Sequence, residues 1–302
     1  MRYYDDDIKL DNERTAIALG KFDGIHKGHE VLLKDIISYG RNLSSCIFTF
    51  DRSPNAFLSD KEDGFILTRD ERKKKLNDMG VDILVEYPFT KEFAGLMPED
   101  FVKNILVEKL HMEVMTVGAD FCFGRKRSGN VSLLKELSER YNFTLNVYDK
   151  LSINDVIVSS SLIRECLLKG DMDLVRLYLG EDYKITGKVV SGARLGRTIG
   201  HPTANLLIDP TKILPPFGVY ASRIKIDDNI YSGVSNLGIK PTVSDEGRVG
   251  LETYIFDFDN DIYSKDIEVS LHGFLRHEMK FDNIDLLKEQ LGKDVQKARD
   301  ML

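Results

Sequence analysis

Two histidines three positions apart, His26 and His29, flank Gly28 in the stretch Gly20, Lys21, Phe22, Asp23, Gly24, Ile25, His26, Lys27, Gly28, His29. These residue types suit a phosphate site. Gly24 and Gly28 let the backbone approach a bulky anion, a following helix adds N–H groups and a positive dipole end, and both imidazoles can donate to phosphate oxygens. Positioned donors that meet charge growing on a phosphorus in transit supply catalysis without a covalent intermediate. Two surface histidines at a helix start are the plain alternative. A His-Glu-x-x-His metalloprotease is excluded by the spacing and by the helix-interior setting which that motif needs. Farther along, Ser159, Ser160, Ser161 and Arg164 enter another helix. They read either as helix caps with a solvated arginine or, beside a phosphate site, as donors for a departing pyrophosphate.

A second group lies near residue 200. Gly187 and Lys188 precede Gly192, Gly196, Arg197 and Gly200, and then come Pro202, Thr203, Ala204 and Asn205. Closely spaced glycines with basic side chains between them describe a flap that can close over phosphates. Thr203 and Asn205 project to one side of an extended segment, and two neutral oxygens suit Mg²⁺ on nucleotide phosphates; a turn leading into a strand is the local alternative. A kinase acting on an alcohol gains from a carboxylate that takes the hydroxyl proton. Glu252 stands in a predicted strand, Leu251 to Phe258. Alternation leaves it facing either solvent or a pocket.

The elements that must hold these residues follow from periodicity. An apolar strand Thr15 to Leu19, the glycine loop, a helix Glu30 to Tyr39 and a strand Cys46 to Phe50 form one unit. Thr68 with Glu71 predicts a capping box on a helix to Met79, followed by strand Val81 to Tyr87 and a helix opened by Pro98. Strand Glu113 to Val117, helix Val131 to Tyr141, strand Phe143 to Tyr148 and helices Ser159 to Lys169 and Asp171 to Tyr178 complete this half. Alternating strands and helices predict a parallel α/β sheet of Rossmann-like type with ligands beyond the strand carboxyl ends. After Gly180 short β-branched stretches between Gly and Pro predict a small antiparallel β-barrel, and Asn283 to Met301 a C-terminal helix. The expected domains are 1–182 and 183–302.

Composition narrows the partners. At 302 residues the chain exceeds what one core usually organises, and 42% hydrophobic residues can fill two. A net charge of −7 disfavours a large nucleic-acid surface but not a local basic pocket. Cys46, Cys122 and Cys166 show no CxxC or CxxH spacing, so neither a zinc site nor a disulfide framework is predicted. With three aspartates among its first residues and no long apolar run, the chain is expected to be cytoplasmic, without a membrane partner; a homo-oligomer stays open.

Residues 17 to 164 resemble the nucleotidylyltransferase superfamily with its HxGH and SSTxxR-type motifs. The wording GKFDGIHKGHEVLL is similar to the FMN adenylyltransferase module of bacterial bifunctional riboflavin kinase/FAD synthetases. Val117 to Gly124 resembles that family's GxDFxFG-like loop, which implies a flavin-side role for Asp120; the basic residues Arg125, Lys126 and Arg127 follow. GKVVSGARLGRTIGHPTAN, LPPFGVYAS, SNLGIKPTV, LETYIFDFDNDIYSK and FLRHEMKF resemble, in order, the riboflavin kinase module. The resemblance implies that His26 and His29 are catalytic, with Gly20, Phe22, Gly24, Gly28, Ser160, Ser161 and Arg164 around the ATP phosphates. In the other module it implies Thr203 and Asn205 on Mg²⁺, Glu252 as general base, the Gly187 to Arg197 segment on phosphates and Arg276 near the flavin. Riboflavin, FMN, FAD and ATP are the ligands it implies. Three positions depart from the family pattern: Ser53 replaces the histidine of Pro-His-Pro, Ser161 replaces threonine and Ser264 replaces glycine. The first leaves a riboflavin kinase with a weakened adenylyltransferase as the alternative.

Overall fold

The computed structural model describes the chain except for residues 12, 53–56, 58–63, 192–201 and 241–247. It divides into two compact units, Met1–Ser160 and Ser161–Leu302. The first is built on six parallel strands: β1 (Arg2–Tyr4), β2 (Thr15–Leu19), β3 (Ser44–Phe50), β4 (Ile83–Tyr87), β5 (Met112–Gly118) and β6 (Thr144–Tyr148), in the order β1-β4-β3-β2-β5-β6. The chain runs outward from β2 on both sides, to β3 and to β5. A crevice at the carboxyl end of β2 is the geometric consequence.

Strand alternation sorts the core onto the two faces of this sheet. Ile17 and Leu19 of β2 pack with Val102, Leu106, Met115 and Leu134 on one face. Ala16 and Ala18 pack with Leu33, Ile36, Leu76 and Val114 on the other. The small alanines face α1 (Lys27–Ser38), which contacts β2, β3 and β5. Half-buried Asp35 on α1 fixes that approach by accepting from Thr116 Oγ1 at 2.5 Å, Asn146 Nδ2 at 2.9 Å and Tyr148 OH at 2.9 Å. The predicted capping box is present on α2 (Arg69–Asp78), with Thr68 and Glu71 bonded reciprocally.

Several boundaries differ from the sequence expectation. Helix α1 begins at Lys27, ahead of Glu30, because His26 serves as its cap. The helix opened by Pro98 widens over Phe101–Val107, where Glu108 N bonds back to Lys103 O and Leu110 N to Ile105 O; such five-residue bonds mark π-type winding. Strand β1 and the two-stranded hairpin β7 (Ser152–Ile153) and β8 (Val156–Ile157) were not predicted. Both are too short to show a period.

The second unit holds a closed six-stranded antiparallel barrel: β9 (Tyr183–Val190), β10 (Thr203–Leu207), β11 (Gly218–Ile226), β12 (Asn229–Lys240), β13 (Arg248–Ile255) and β14 (Asp266–Arg276), closing in the order β10-β13-β12-β11-β14-β9. Its interior takes alternate residues, among them Leu206, Leu237, Leu251 and a buried Ser235–Thr253 hydroxyl pair at 2.8 Å. The outer face carries Val219, Ala221 and Leu275, which pack with Ala298 of the C-terminal helix α3 (Ile284–Met301). A helix at Met172–Leu179 packs on β9 and β14, so this segment lies in the second compact unit, ahead of the 182/183 position where sequence texture changes.

Candidate active sites

The loop after β2 is held in conformations that most residues avoid. Phe22, Gly24 and Ile25 have φ of 48°, 84° and 43°. For Phe22 and Ile25, both fully buried, this is a strained backbone that only surrounding contacts can maintain. Those contacts are side chains reaching the loop carbonyls. Arg72 and Thr49 donate to Lys21 O at 3.3 and 3.4 Å, Lys75 to Ile25 O at 3.2 Å and Ser160 to Asp23 O at 2.8 Å. Asp23 in turn accepts from Ile66 N at 2.9 Å. Gly20 lies close under the Phe22 ring, which would stand 3.2 Å from a Cβ there.

The loop delivers the two histidines as a stack. Their ring centroids are 3.7 Å apart with planes inclined by 17°, and Phe22 lies edge-near His29 at 5.1 Å. His26 caps α1 by accepting from His29 N at its Nδ1, 3.3 Å away. An accepting Nδ1 carries no proton, so the proton of the neutral ring sits on Nε2. Burial, with the Lys75 charge adding to it, lowers the His26 pKa from 6.5 to about 4. Burial pushes His29 well below its ordinary value too, with His26 and Lys75 as further causes. Both rings are therefore neutral N–H donors near pH 7. Nδ1 of His29 is buried without a partner among the described residues. Gly28 makes room for the stack, since a Cβ there would stand 3.1 Å from Cε1 of His26.

Arg72 links this loop to a buried ion cluster that sequence reasoning missed. Glu86 of β4 is 1% exposed and pairs with Arg72, itself 4% exposed. Arg69 and Lys73 stand 3.7 and 3.6 Å from Glu86, and Tyr3 OH donates to it at 2.8 Å. Burial works to raise the Glu86 pKa, but Arg72 and the Tyr3 hydrogen bond outweigh it and hold the carboxyl below its ordinary value. Burial and then Glu86 push the Tyr3 hydroxyl up to about 12. A basic run on a helix reads as a solvated face, and nothing in the residue types marks Arg72 as the one turned inward.

The other expected residues of this module are placed as follows. The Ser160 hydroxyl proton is engaged by Asp23 O, which makes Ser160 a holder of the loop. Ser161 and Arg164 continue the same helix, Ser160–Lys169, in the second compact unit. Asp120, beyond β5, pairs with Lys150 at 2.7 Å. Next to it Phe121 stacks on Phe123 at 5.6 Å, while Phe50, beyond which β3 ends, meets Phe89 and Phe93 at 5.0 and 5.1 Å. Phe123 is buried, and the half-buried Phe50, Phe89, Phe93 and Phe121 could offer apolar surface to a planar ligand. Ser53 lies outside the described residues.

On the barrel, Thr203, Asn205 and Glu252 come together. Thr203 and Asn205 share a face of β10, and Asn205 is paired directly with Glu252 of β13. Thr203 Oγ1 donates to Glu252 Oε1 at 2.6 Å. Leu251 and Thr253 fill the interior, so Glu252 stands half-buried on the outer face. That resolves the choice that alternation leaves open. With its proton given to Glu252, the Thr203 oxygen keeps lone pairs for a hard cation, and the Asn205 amide adds a further oxygen.

Two further expected residues, Lys188 and Arg276, have partners within the barrel unit. Lys188 lies opposite Asp266 of β14 and binds Ser264 O at 3.0 Å and Asp266 at 3.3 Å, on the β14 side of β9. Its neighbour Gly187 faces β10, where a Cβ would stand 3.0 Å from Leu207 O. Arg276 is held by Asp294 of α3 through Nε at 3.0 Å and Nη2 at 2.7 Å. Gly192, Gly196 and Arg197 lie outside the described residues.

A strained glycine loop with two neutral histidines at the switch point of a parallel sheet and an oxygen-donor row on a closed barrel agree with what the family comparisons show, a two-module enzyme that transfers phosphorus-containing groups. Residues 8–162 match the family model described as FAD synthetase and residues 179–302 the one described as riboflavin kinase. The chain belongs to the bifunctional riboflavin kinase/FMN adenylyltransferase family. It is 37% identical over 296 residues to the bifunctional riboflavin kinase/FMN adenylyltransferase of Buchnera aphidicola subsp. Schizaphis graminum, with 96% of this chain and 94% of that one covered. It is 34% identical to the enzyme of the same name from Escherichia coli K12, covering 95% and 93%. A solved structure described as a macrolide-efflux protein from Streptococcus pneumoniae superposes with a TM-score of 0.86 over 98% of both chains at 29% identity. Among the described residues here, no helix is long and apolar enough to cross a membrane.

Proposed function

We propose that the chain makes FAD from riboflavin in two ATP-dependent transfers, with functional modules at 1–182 and 183–302. In the barrel the ribityl 5′-hydroxyl attacks the γ-phosphorus of ATP, giving FMN and ADP, and Glu252 takes the hydroxyl proton. In the parallel-sheet module the FMN phosphate attacks the α-phosphorus of a second ATP, giving FAD and pyrophosphate. The neutral N–H groups of His26 and His29 meet the charge on the transferring group. Ser161 and Arg164 are assigned to the departing pyrophosphate, and Ser160 to holding the loop. Thr203 and Asn205 would hold Mg²⁺, which neutralises phosphate charge when bound. The aromatic rings near Asp120 suit the isoalloxazine. Cys46, Cys122 and Cys166 are free thiols, which fits a reducing cytoplasm.

The observation that carries this reading is the presence in one chain of the histidine stack beyond β2 and the Thr203–Asn205–Glu252 row on the barrel, each of a geometry that suits phosphate chemistry. Matches to both family models support both activities over the kinase-only alternative. The test is to incubate the protein with riboflavin, ATP and Mg²⁺ and to separate the flavins over time. FMN is expected first and FAD with pyrophosphate after it. Replacing His29→Ala should slow the second step by ~100- to 1000-fold and leave the first intact. Glu252→Gln should slow the first by ~100-fold or more and still convert supplied FMN. FAD formation at the parental rate in His29→Ala refutes the assignment.

A further inference from the structure

Glu252 has a second neighbour on the outer face of the barrel. Asn236 of β12 is paired directly with Glu252 from one side, as Asn205 of β10 is from the other. Directly opposed residues share a face, and neighbouring strands lie about 4.8 Å apart. Asn205, Glu252 and Asn236 therefore form one row across three strands, with the carboxylate in the middle.

The two ends of the Asn236 amide are in different states. Nδ2 makes a long hydrogen bond of 3.5 Å to Glu278 Oε1. Oδ1 is buried and has no partner among the described residues. The contact with Glu278 depends on Gly238, two residues along the same face, because a Cβ there would collide with the Glu278 carboxylate. Glu278 thus selects the orientation of the amide: its acceptor accepts from Nδ2–H and leaves Oδ1 directed elsewhere.

A buried acceptor without a donor is uncommon in folded proteins. Fully ionised phosphate oxygens are acceptors and cannot satisfy it. An alcohol can. On the Asn205 side of Glu252 stand the hydroxyl and amide assigned to the nucleotide; on the other side stands Asn236. We propose that Asn236 contacts the acceptor substrate of the kinase site, its Oδ1 accepting a hydrogen bond from a secondary hydroxyl of the polyol chain whose primary hydroxyl is phosphorylated. The inference rests on the reading of Thr203, Asn205 and Glu252 as the phosphoryl-transfer row. It assigns to Asn236 the discrimination between a polyhydroxylated chain and a plain alkyl alcohol.

The test compares riboflavin with its 2′-, 3′- and 4′-deoxy analogues on the full-length enzyme. The parent is expected to lose ~10- to 100-fold in kcat/KM on one of the three, because a site with a buried polar group rejects the analogue that leaves it unpaired. Asn236→Leu should lower kcat/KM for riboflavin by a similar factor, through the KM for riboflavin with the KM for ATP unchanged. It should also use that analogue as well as riboflavin. A thermal melt of the full-length variant that keeps the parental barrel transition reports that the barrel is folded, and Asn236→Ser, shorter than the reach to the hydroxyl, serves if the leucine variant is not. Parental discrimination persisting in the variant overturns the proposal, and so does a loss confined to the KM for ATP. If Glu252→Gln keeps the parental kinase rate, the reading of the row fails and the proposal falls with it. If Glu252→Gln abolishes phosphorylation while the Asn236 variant still discriminates, only the role of Asn236 is refuted.

Discussion

At the scale of single residues, the adenylyl-transfer site is a problem of keeping two imidazoles neutral, close and aimed. The native protein keeps His26 neutral down to about pH 4, whereas an unfolded histidine takes its proton near 6.5. Between those values the unfolded chain binds more protons, so this group makes stability rise with pH and fall as the solution is acidified through the window. The contribution is at most about 3 kcal/mol. Denaturant unfolding at pH 7 and pH 4 should show a smaller difference for His26→Asn, in which asparagine keeps the helix cap. Gly28→Ala should press on Cε1 of His26 and reduce FAD formation about ten-fold while FMN formation is unaffected, since small misplacements at a reacting centre are costly. The identities of both histidines are legible from spacing alone. Their stacking and their neutrality are not, because they come from burial against Phe22 and from the charge of Lys75, which carry no mark of their role or are distant in sequence.

At the scale of elements, the loop owes its shape to helix α2 and strand β4, which sequence reading treats as scaffold. Arg72 spans the buried Glu86 and the carbonyl of Lys21. Arg72→Met should destabilise the first unit by about 3 kcal/mol, because it leaves a buried carboxylate with weaker partners. It should also slow adenylylation while sparing phosphorylation, as thermal melts and flavin separation can show. In the barrel, Asp294 on α3 holds Arg276 at the end of β14. Asp294→Asn should loosen that arginine and change the KM for riboflavin more than that for ATP, which steady-state kinetics would test. Strand alternation and helical period reveal these elements because each has one apolar side. They do not reveal which charged residue turns inward, since Arg72 and Asp294 sit among other charges and only the packed partner distinguishes them.

At the scale of the molecule, each of the proposed modules, 1–182 and 183–302, carries its own set of candidate chemical groups. FMN made by one copy should therefore serve another. Mixing His29→Ala with Glu252→Gln protein should restore FAD formation from riboflavin, with a lag that shortens as protein concentration rises. Failure to restore it would mean that each step needs both modules intact in the same chain. The two-module plan is legible in the sequence as a change from helical to β-rich texture near residue 182, whereas the packing of Met172–Leu179 on β9 and β14 is not. That helix has an ordinary amphipathic pattern, and no period tells which neighbour it will cover.

The hydrogen bond from Ser160 to the carbonyl of Asp23 joins residues 137 positions apart. A chain emerging from the ribosome makes its histidine motif almost at once, yet the strained loop that carries it lacks its last tether until the start of the helix at Ser160 has followed. Newly made protein should thus acquire nucleotide affinity late and abruptly. Arrested nascent chains that expose only residues 1–150 should bind ATP weakly, and those that expose 1–180 should bind it fully.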